Sequence, residues 1–253
     1  MTKPRISEVA EVIGLIVSNF PGVQFGPLHY LSLERNKTHA LITNKGDYKS
    51  RMTLTSSLVA ELTWWIENMP HSSRDITHPT PCMIIQTDTS TLGWGAVYGD
   101  QEVGRRWTTL ESTSQINILE LQAAFFALKS FCKETTKGHV QLQIDNTTAV
   151  TYINDMGGSK SPKLNSLAQE IWDWCIQQQL WVSATHIAGK LNVSADSKSC
   201  KFQDKHEWML NKEAFKVILS LYPELNIDLF ATRLNNQLAL YCSWKPDPGC
   251  TFV

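Results

Sequence analysis

The fold is decided by residues 83–98, which read MIIQTDTSTLGWGAVY. The apolar run at 83–87 predicts a buried strand, and Asp88 follows it directly. After a short polar turn, residues 93–98 predict a neighbouring strand, and residues 102–108 predict a third. This stretch therefore predicts the start of a sheet with an acidic side chain at the end of its first strand.

Helices and strands alternate downstream of this stretch. The pattern predicts, in this order, a helix at 116–133 that is apolar nearly all round, a strand at 140–144, helices at 146–155 and 163–179, a strand at 180–186, and a last helix from about Val193. Three strands followed by alternating helices and strands predict an α/β fold. Its centre is a five-stranded mixed sheet flanked by helices.

Segments of different character flank this strand-rich zone, which covers residues 82–202. Residues 1–75 show helical spacing and predict a small helical connection segment, similar to a polymerase thumb. The proline-rich stretch at 69–82 predicts a linker. Residues 203–253 predict a C-terminal extension with one helix at about 207–221, which we interpret as the start of a further unit.

Composition narrows the class of protein. A chain of 253 residues with 42% hydrophobic and 19% charged residues forms a packed core and is not wholly disordered. A net charge of −1 does not predict nucleic-acid binding through bulk charge, although a local basic surface remains compatible with it. No apolar run approaches the roughly 18–20 residues of a spanning helix, and the first residues do not resemble a signal peptide. We therefore expect an intracellular protein with no membrane partner, and six cysteines without a CxxC pair predict reduced thiols.

Four acidic residues stand where a carboxylate needs an explanation: Asp88, Glu120, Asp145 and Asp196. Taken singly, each has an ordinary alternative. Asp88 can be a strand-end turn residue and Glu120 part of an exposed polar stripe. Asp145 can cap a helix, and Asp196 can cap the last helix or occupy its first turn. Taken together, three lie at strand ends or helix starts and one lies on the apolar helix, so the fold can bring all four to one edge. Hard cations such as Mg²⁺ stabilise clustered carboxylates. Two such ions about 3.5–4 Å apart would suit the in-line displacement of a phosphodiester.

Other polar residues accompany these carboxylates. His186 ends the fifth predicted strand and can shuttle protons or help a product leave, or it is a solvated loop residue. Asn192 can hydrogen-bond a substrate or cap the last helix. The basic residues near the last helix, which include Lys205, could meet backbone phosphates or lie on a solvated helix face. The candidate nucleic-acid contacts are Asn146, Lys190, Asn192, Lys198 and Lys201.

In combination, these motifs resemble the ribonuclease H type 1 family. The resemblance is carried by TDTS at 87–90, GWGA at 93–96, ELQA at 120–123, IDN at 144–146 and the stretch from His186 to Asp196. It implies a ribonuclease H-like sheet over 82–202 and cleavage of the RNA strand of an RNA/DNA hybrid. It also implies that His186 is catalytic and that two Mg²⁺ ions, or Mn²⁺ as a substitute, are held by Asp88, Glu120, Asp145 and Asp196.

The flanking segments resemble the reverse transcriptase polyproteins of DIRS and gypsy-like retroelements. Residues 20–30, HIAGKLN at 186–192 and DLFATR at 228–233 carry this likeness. It implies a polymerase domain encoded elsewhere in the same element, because this chain contains no Tyr/Phe-x-Asp-Asp motif.

Two departures keep a second function open. Relatives usually have an apolar residue and an arginine where this chain has Lys198 and Cys200. The alternative is therefore a catalytically inactive nucleic-acid-binding remnant of a retroelement. Other nucleases of the same superfold are disfavoured, because Ser90 stands where the exonuclease pattern needs Glu and because Glu120 comes second, whereas the integrase pattern has its Glu last.

Overall fold

The computed structural model describes residues 3–202 and 208–251. The chain divides into two compact units, one formed by residues 1–80 with 151–173 and the other by residues 81–150 with 174–253. The helices are α1 (Ile6–Ser18), α2 (Leu31–Thr43), α3 (Ser56–Asn68), α4 (Ile116–Phe131), α5 (Thr147–Asn154), α6 (Pro162–Gln177), α7 (Val193–Cys200) and α8 (Lys212–Leu221). The strands are β1 (Met83–Thr89), β2 (Gly93–Tyr98), β3 (Gln101–Arg106), β4 (Gly138–Ile144), β5 (Leu180–His186), β6 (Ile227–Leu229) and β7 (Leu240–Cys242).

The helical unit has its own apolar core. Ile6, Val9 and Ile13 recur at helical spacing on α1 and are buried together with residues of α2 and α3. The buried Glu61 of α3 accepts hydrogen bonds from the backbone N–H groups of Ser32 and Leu33, at 3.2 and 3.0 Å. A carboxylate at this position satisfies two unpaired donors in the first turn of α2, so it holds the two helices in register.

The second unit is built on a five-stranded mixed sheet of order β3-β2-β1-β4-β5. The central strand β1 pairs antiparallel with β2 and parallel with β4, and β4 pairs parallel with β5. Apolar side chains at alternate positions of β1 are buried, which explains its central place. This is the ribonuclease H-like fold expected from the sequence.

Two helices pack on opposite faces of this sheet. The ring of Trp94 lies 5.4 Å from that of Phe126 on α4, between centroids. The next residue, Gly95, faces α7, where an added Cβ would lie 2.6 Å from Lys198 Cβ and 2.7 Å from the backbone nitrogen of Ser199. Because Gly95 pairs with Gly104 of β3, two adjacent positions without side chains let the backbone of α7 lie directly on the sheet.

The C-terminal segment 208–251 belongs to the same unit as the sheet. The guanidinium of Arg233 donates to the carboxylate of Glu111 at 2.9 and 3.1 Å and to the carbonyl of Arg106 at 3.1 Å. It also lies 4.5 Å from the centre of the Phe126 ring. This arginine therefore ties the segment to β3 and α4, and that residues 203–253 start a further unit stays a prediction.

The observed division departs from the predicted segments in one place. Residues 151–173 group with residues 1–80, although we expected the strand-rich domain to be continuous over 82–202. The reason is packing within the helical unit, where Gln169 Nε2 donates to the Leu28 carbonyl at 3.1 Å and the rings of Phe25 and Trp172 lie 6.2 Å apart.

The helix expected at 207–221 begins later than predicted. Residue 207 lies outside the described residues, and α8 starts at Lys212. The side chain of Asn211 accepts hydrogen bonds from the backbone N–H groups of Glu213 and Ala214, and so sets the first residue of the helix.

Two general expectations can be compared with the structure. All six cysteines lie in the described part of the chain, and each is a free thiol. No helix within residues 3–202 and 208–251 combines the length and the apolar character needed to cross a membrane.

Candidate active site

Asp88 lies in β1, close to its carboxyl end, where the sheet meets α7. It is buried, and its Oδ2 accepts a hydrogen bond from Ser199 Oγ at 2.6 Å. Burial raises the pKa of Asp88 to about 6, and the negative charges of Asp145 and Asp196 add to the effect. Hydrogen bonds from Ser199 and Asn192 act in the opposite direction. A strand-end turn residue would be solvated, whereas the side chain of Asp88 is buried.

Glu120 lies on α4, which is buried on nearly all sides. It is not part of an exposed polar stripe, since its own side chain is buried and its Oε2 has no hydrogen-bond partner within the described residues. Burial, followed by the charges of Asp145 and Asp88, raises the pKa of Glu120 to about 9. This environment therefore disfavours the ionised form of Glu120.

Asp145 follows β4 and is half-buried. The helix cap that we considered for it is supplied by its neighbour, because Asn146 Oδ1 accepts from the backbone N–H of Ala149 at 2.9 Å. Asn146 Nδ2 in turn donates to Asn117 Oδ1 at 2.9 Å. Asp145 is thereby left without a capping role, and its Oδ2 lies 3.4 Å from the position that a Cβ on Gly189 would occupy.

Asp196 is exposed and lies in the first turn of α7. Its carboxylate is close enough to Asp88 to raise the pKa of that residue. The glycines at 95 and 104 explain this proximity, because they bring the backbone of α7 down onto β2 and β3.

The four carboxylates thus act on one another electrostatically. Asp145 and Asp196 act on Asp88, and both Asp145 and Asp88 act on Glu120. Like charges held at short range favour protonation of one member or neutralisation by a cation. That all four residues meet at one edge of the sheet stays a prediction.

The four carboxylates have the ligand chemistry of a site for hard cations. Carboxylate oxygens are the ligands that Mg²⁺ prefers, and the buried, unpartnered Oε2 of Glu120 is the kind of atom that a cation would satisfy. Within residues 3–202 and 208–251, however, no group of three His, Cys, Asp or Glu side chains is arranged to hold a metal ion. The chemistry of the four residues fits Mg²⁺, and coordination would require their side chains to turn towards a common point.

Two residues position Asp88 without being ligand candidates. Ser199 is fully buried on α7 and supplies the 2.6 Å hydrogen bond, while Ser90 Oγ donates to the Ser199 carbonyl at 2.7 Å. Asn192 is also fully buried, and its Nδ2 donates to the Thr87 carbonyl at 2.8 Å. Sequence reasoning missed Ser199, because only the packing of α7 on the glycine pair brings its hydroxyl to Asp88.

The remaining candidates fall into two groups. His186 is exposed at the end of β5, where it pairs in register with Ile144, the residue before Asp145. Lys190 and Lys201 are exposed as well. Lys198 instead places its Nζ 2.6 Å from Glu102 Oε2, so its charge is paired at the surface of β3.

Asn192 needs a correction among the proposed nucleic-acid contacts. A fully buried side chain bonded to Thr87 does not reach a duplex, so it is better described as a positioning residue. Asn146 is engaged with Asn117 and the α5 backbone. Lys205, which also belongs to the predicted basic group, lies outside the described residues.

The order of the strands and the helices that flank them are those of a ribonuclease H-like fold. Several solved ribonuclease H structures are similar to this chain. The ribonuclease H1 of Halobacterium salinarum is 17% identical with a TM-score of 0.38, and the match covers 46% of this chain and 92% of that one. LC11-RNase H1, solved in complex with an RNA/DNA hybrid and isolated from compost, is 19% identical with a TM-score of 0.39 and covers the same shares.

A viral polyprotein is also similar. The foamy viral protease-reverse transcriptase, solved in complex with an RNA/DNA hybrid, is 13% identical with a TM-score of 0.28, covering 73% of this chain and 25% of that one. All of these likenesses are too slight to transfer activity, substrate or partner to this chain. No protein-family model and no curated protein matches it.

Proposed function

We propose that this chain hydrolyses the RNA strand of RNA/DNA hybrids, as the ribonuclease H part of a retroelement reverse transcriptase. The observation that supports the proposal is that Asp88 and Glu120 are both buried and that the charge of Asp145 acts on both carboxyl groups. A buried glutamate without a hydrogen-bond partner is costly to keep unless it has a function. We propose that the enzyme works inside the cell together with a polymerase domain encoded elsewhere in the element.

The residues have separate tasks in this proposal. Asp88, Glu120, Asp145 and Asp196 would hold two Mg²⁺ ions, for which Mn²⁺ can substitute. Such a pair supplies the Lewis acidity that activates water and stabilises the leaving oxygen of a phosphodiester. His186 is exposed at the end of β5, from where its imidazole can take up or release a proton as the product leaves.

Two hydrogen-bond donors near Asp88 favour the ionised carboxylate that metal binding requires. Ser199 and Asn192 donate hydrogen bonds that favour the ionised form of Asp88, against the effect of burial. They also fix its orientation, because Ser199 belongs to α7 and Asn192 anchors the start of α7 to β1. The same helix therefore carries one carboxylate and aligns another.

Substrate binding would depend on phosphate contacts and on the shape and 2′-hydroxyl groups of the hybrid. Lys190 and Lys201 are exposed and remain the proposed phosphate contacts. Lys198 would be available to a phosphate only by leaving Glu102.

The test is cleavage of a labelled RNA/DNA hybrid in Mg²⁺ and in Mn²⁺, with an all-DNA duplex as the substrate control. We expect cuts in the RNA strand alone. Asp145→Asn should abolish them, whereas Asp100→Asn, a change of the same chemistry at an exposed residue of the β2–β3 turn, should not. Equal activity of wild type and Asp145→Asn, or cleavage of the all-DNA duplex, would contradict the proposal.

The second candidate is an inactive nucleic-acid-binding remnant. It is favoured by one observation, that no three potential ligands in the described ranges are already arranged around a metal position. The same assay separates the two functions, since the remnant would bind the hybrid and leave it uncut in both metals.

A further inference from the structure

A second candidate site lies outside the carboxylate set. A cleft of about 1080 Å³ is lined by residues of β3, by the end of α7 and by the C-terminal segment 208–251. All of its lining residues belong to the unit that contains the sheet. The volume lies at about the upper limit of the roughly 300–1,000 Å³ of small-molecule pockets, so the cleft has room for an extended ligand.

Large aromatic rings line this cleft and face solvent. Trp208 is 75% exposed, Trp244 is 80% exposed and Phe230 is 66% exposed. The rings of Phe230 and Trp244 lie 5.8 Å apart between centroids, with their planes tilted by 55°. Clustered exposed rings of this size mark an interaction site, because isolated proteins normally bury them.

Backbone conformation gives an independent indication at the same place. Phe230 has a φ of 66°, in the left-handed region that side-chain-bearing residues rarely adopt. Strained residues of this kind persist where the surrounding structure holds them, and they cluster at binding sites.

Cations accompany the rings. The lining contains five basic residues against two acidic ones, and Lys198 is already paired with Glu102. Lys201 and Lys245 are exposed, and the guanidinium of Arg106 lies 4.8 Å from the centre of the Phe202 ring. Another lining cation, Arg105, places its Nε 3.9 Å from Oδ2 of the buried Asp247. The exposed Lys201 and Lys245 therefore supply positive charge at the surface of the cleft.

We propose that this cleft binds single-stranded nucleic acid, with bases stacked on Trp208, Phe230 and Trp244 and with phosphates held by Lys201 and Lys245. Sequence-tolerant single-strand sites combine the same two features, a positive groove and aromatic side chains on which bases stack. The two exposed lysines fit a polyanion better than an apolar peptide, because a peptide of that kind offers them no negative charge.

The position of the cleft connects it to the carboxylates. Ser197 and Lys198 line the cleft and directly follow Asp196 on α7. A single strand leaving the end of a hybrid bound at the carboxylates would thus meet the cleft. This last step rests on the proposed nuclease function, whereas binding of a single strand does not.

The experiment measures binding in EDTA, so that no cleavage contributes. Binding is measured by the fluorescence anisotropy of labelled oligothymidylate and oligouridylate. Both strands have about 12 nucleotides, a length within the range of about 4–16 nucleotides that single-strand sites cover. Wild type should bind both strands. Trp244→Ala and Trp208→Ala should each weaken binding about ten-fold, as expected for the loss of one stacked base. Tyr222→Ala, which removes an exposed ring of the C-terminal segment outside the cleft, should leave binding unchanged.

Salt dependence provides a second readout that does not depend on the tryptophans. Lys245→Gln should reduce the slope of log K against log salt by about 0.7, the value for one lost phosphate contact with a single strand. Lys212→Gln, an exposed lysine outside the cleft, should leave the slope unchanged. If a tryptophan variant fails to fold by circular dichroism, this pair of lysine variants still decides the question.

Three results would overturn the inference. They are failure of wild type to bind either strand, binding by both tryptophan variants with wild-type affinity, and binding of an apolar peptide in place of the oligonucleotides. Hybrid cleavage without single-strand binding would refute only this inference. Single-strand binding without hybrid cleavage would refute only the nuclease proposal.

Discussion

The packing of α7 on β2 makes Gly95 the most informative position for substitution. Gly95→Ala would place a methyl group 2.6 Å from Lys198 Cβ and 2.7 Å from the Ser199 backbone nitrogen. The carbonyl of Ala195 is even closer. Two of these three neighbours are backbone atoms of α7, so no side-chain rotation can relieve the clash.

The size of the effect follows from these distances. To restore an ordinary contact of about 3.4 Å, the helix must retreat by about 0.7 Å at Ser199. The same shift would lengthen the 2.6 Å bond from Ser199 to Asp88 to about 3.3 Å, beyond the usual range for O–H···O bonds. Overpacking of this kind costs about 2 kcal/mol, which corresponds to a fall in Tm of about 4–8 °C for a chain of this length.

Thermal unfolding followed by differential scanning calorimetry measures this change, with hybrid cleavage as the second readout. The matched control is Gly14→Ala, where the same methyl group meets nothing within 4 Å on the exposed side of α1. Because glycine weakens a helix interior, the control should raise the stability of its unit by about 1 kcal/mol.

The two alanine variants should therefore move stability in opposite directions. A Gly95→Ala protein with wild-type Tm and wild-type cleavage would show that α7 does not rest on the glycine pair as described. An equal loss of stability in both variants would show that the clash with α7 is not the cause.

Three further substitutions test the charges of the unit that contains the sheet. Ser199→Ala should move the acidic limb of the pH–rate profile to higher pH, because the lost bond opposes the burial that raises the pKa of Asp88 to about 6; a profile that does not move would separate Ser199 from the site. Glu120→Gln should be inactive but more stable at neutral pH, because the folded-state pKa of about 9 lies above the unfolded value of about 4.3. Wild-type stability should therefore fall as the pH rises between these values, and Tm measured in EDTA should show this fall in wild type and not in the variant. Arg233→Ala should lower Tm near neutral pH: burial raises the pKa of Glu111, but hydrogen bonds from Arg233 and Thr108 outweigh it and hold that pKa below its usual value. The contribution of Glu111 is thus present above its unfolded pKa of about 4.3 and is lost as the pH falls through its depressed folded pKa. The difference in Tm between wild type and variant should therefore narrow in acid, and it would stay constant if Glu111 were not the partner.

Local pattern was sufficient to predict the sheet. The apolar alternation of β1 and the all-round apolar character of α4 are periodic signals that depend only on neighbours in sequence, and both elements formed where expected. The position of Asp88 at the end of a buried strand followed from the same signal.

Two features of the site depend on tertiary contacts and could not be predicted from the local sequence pattern. Asp145 and Asn146 are both good capping residues, and only the observed bond from Ala149 to Asn146 shows which of them caps α5. Ser199 was missed because a serine three positions after Asp196 is unremarkable until two glycines of other strands bring it to Asp88.

Lys198, which departs from the ribonuclease H pattern, is another residue whose role only the tertiary structure shows. From sequence it cast doubt on the packing of α7, since a lysine stood where relatives have an apolar residue. In the structure its methylene stem lies against Gly95 and its Nζ reaches Glu102 on β3. A long side chain can cover apolar surface while its charge stays in solvent, so the departure is compatible with an ordered helix.

The attachment of the C-terminal segment through Arg233 has a consequence for the solution behaviour of the domain. β3 is the edge strand on its side of the sheet, and the Arg106 carbonyl in that strand is satisfied by Arg233. An uncovered edge strand is a template on which another chain can add a strand and begin aggregation. A protein truncated after residue 202 would expose this edge and should self-associate at concentrations where the full chain stays monodisperse.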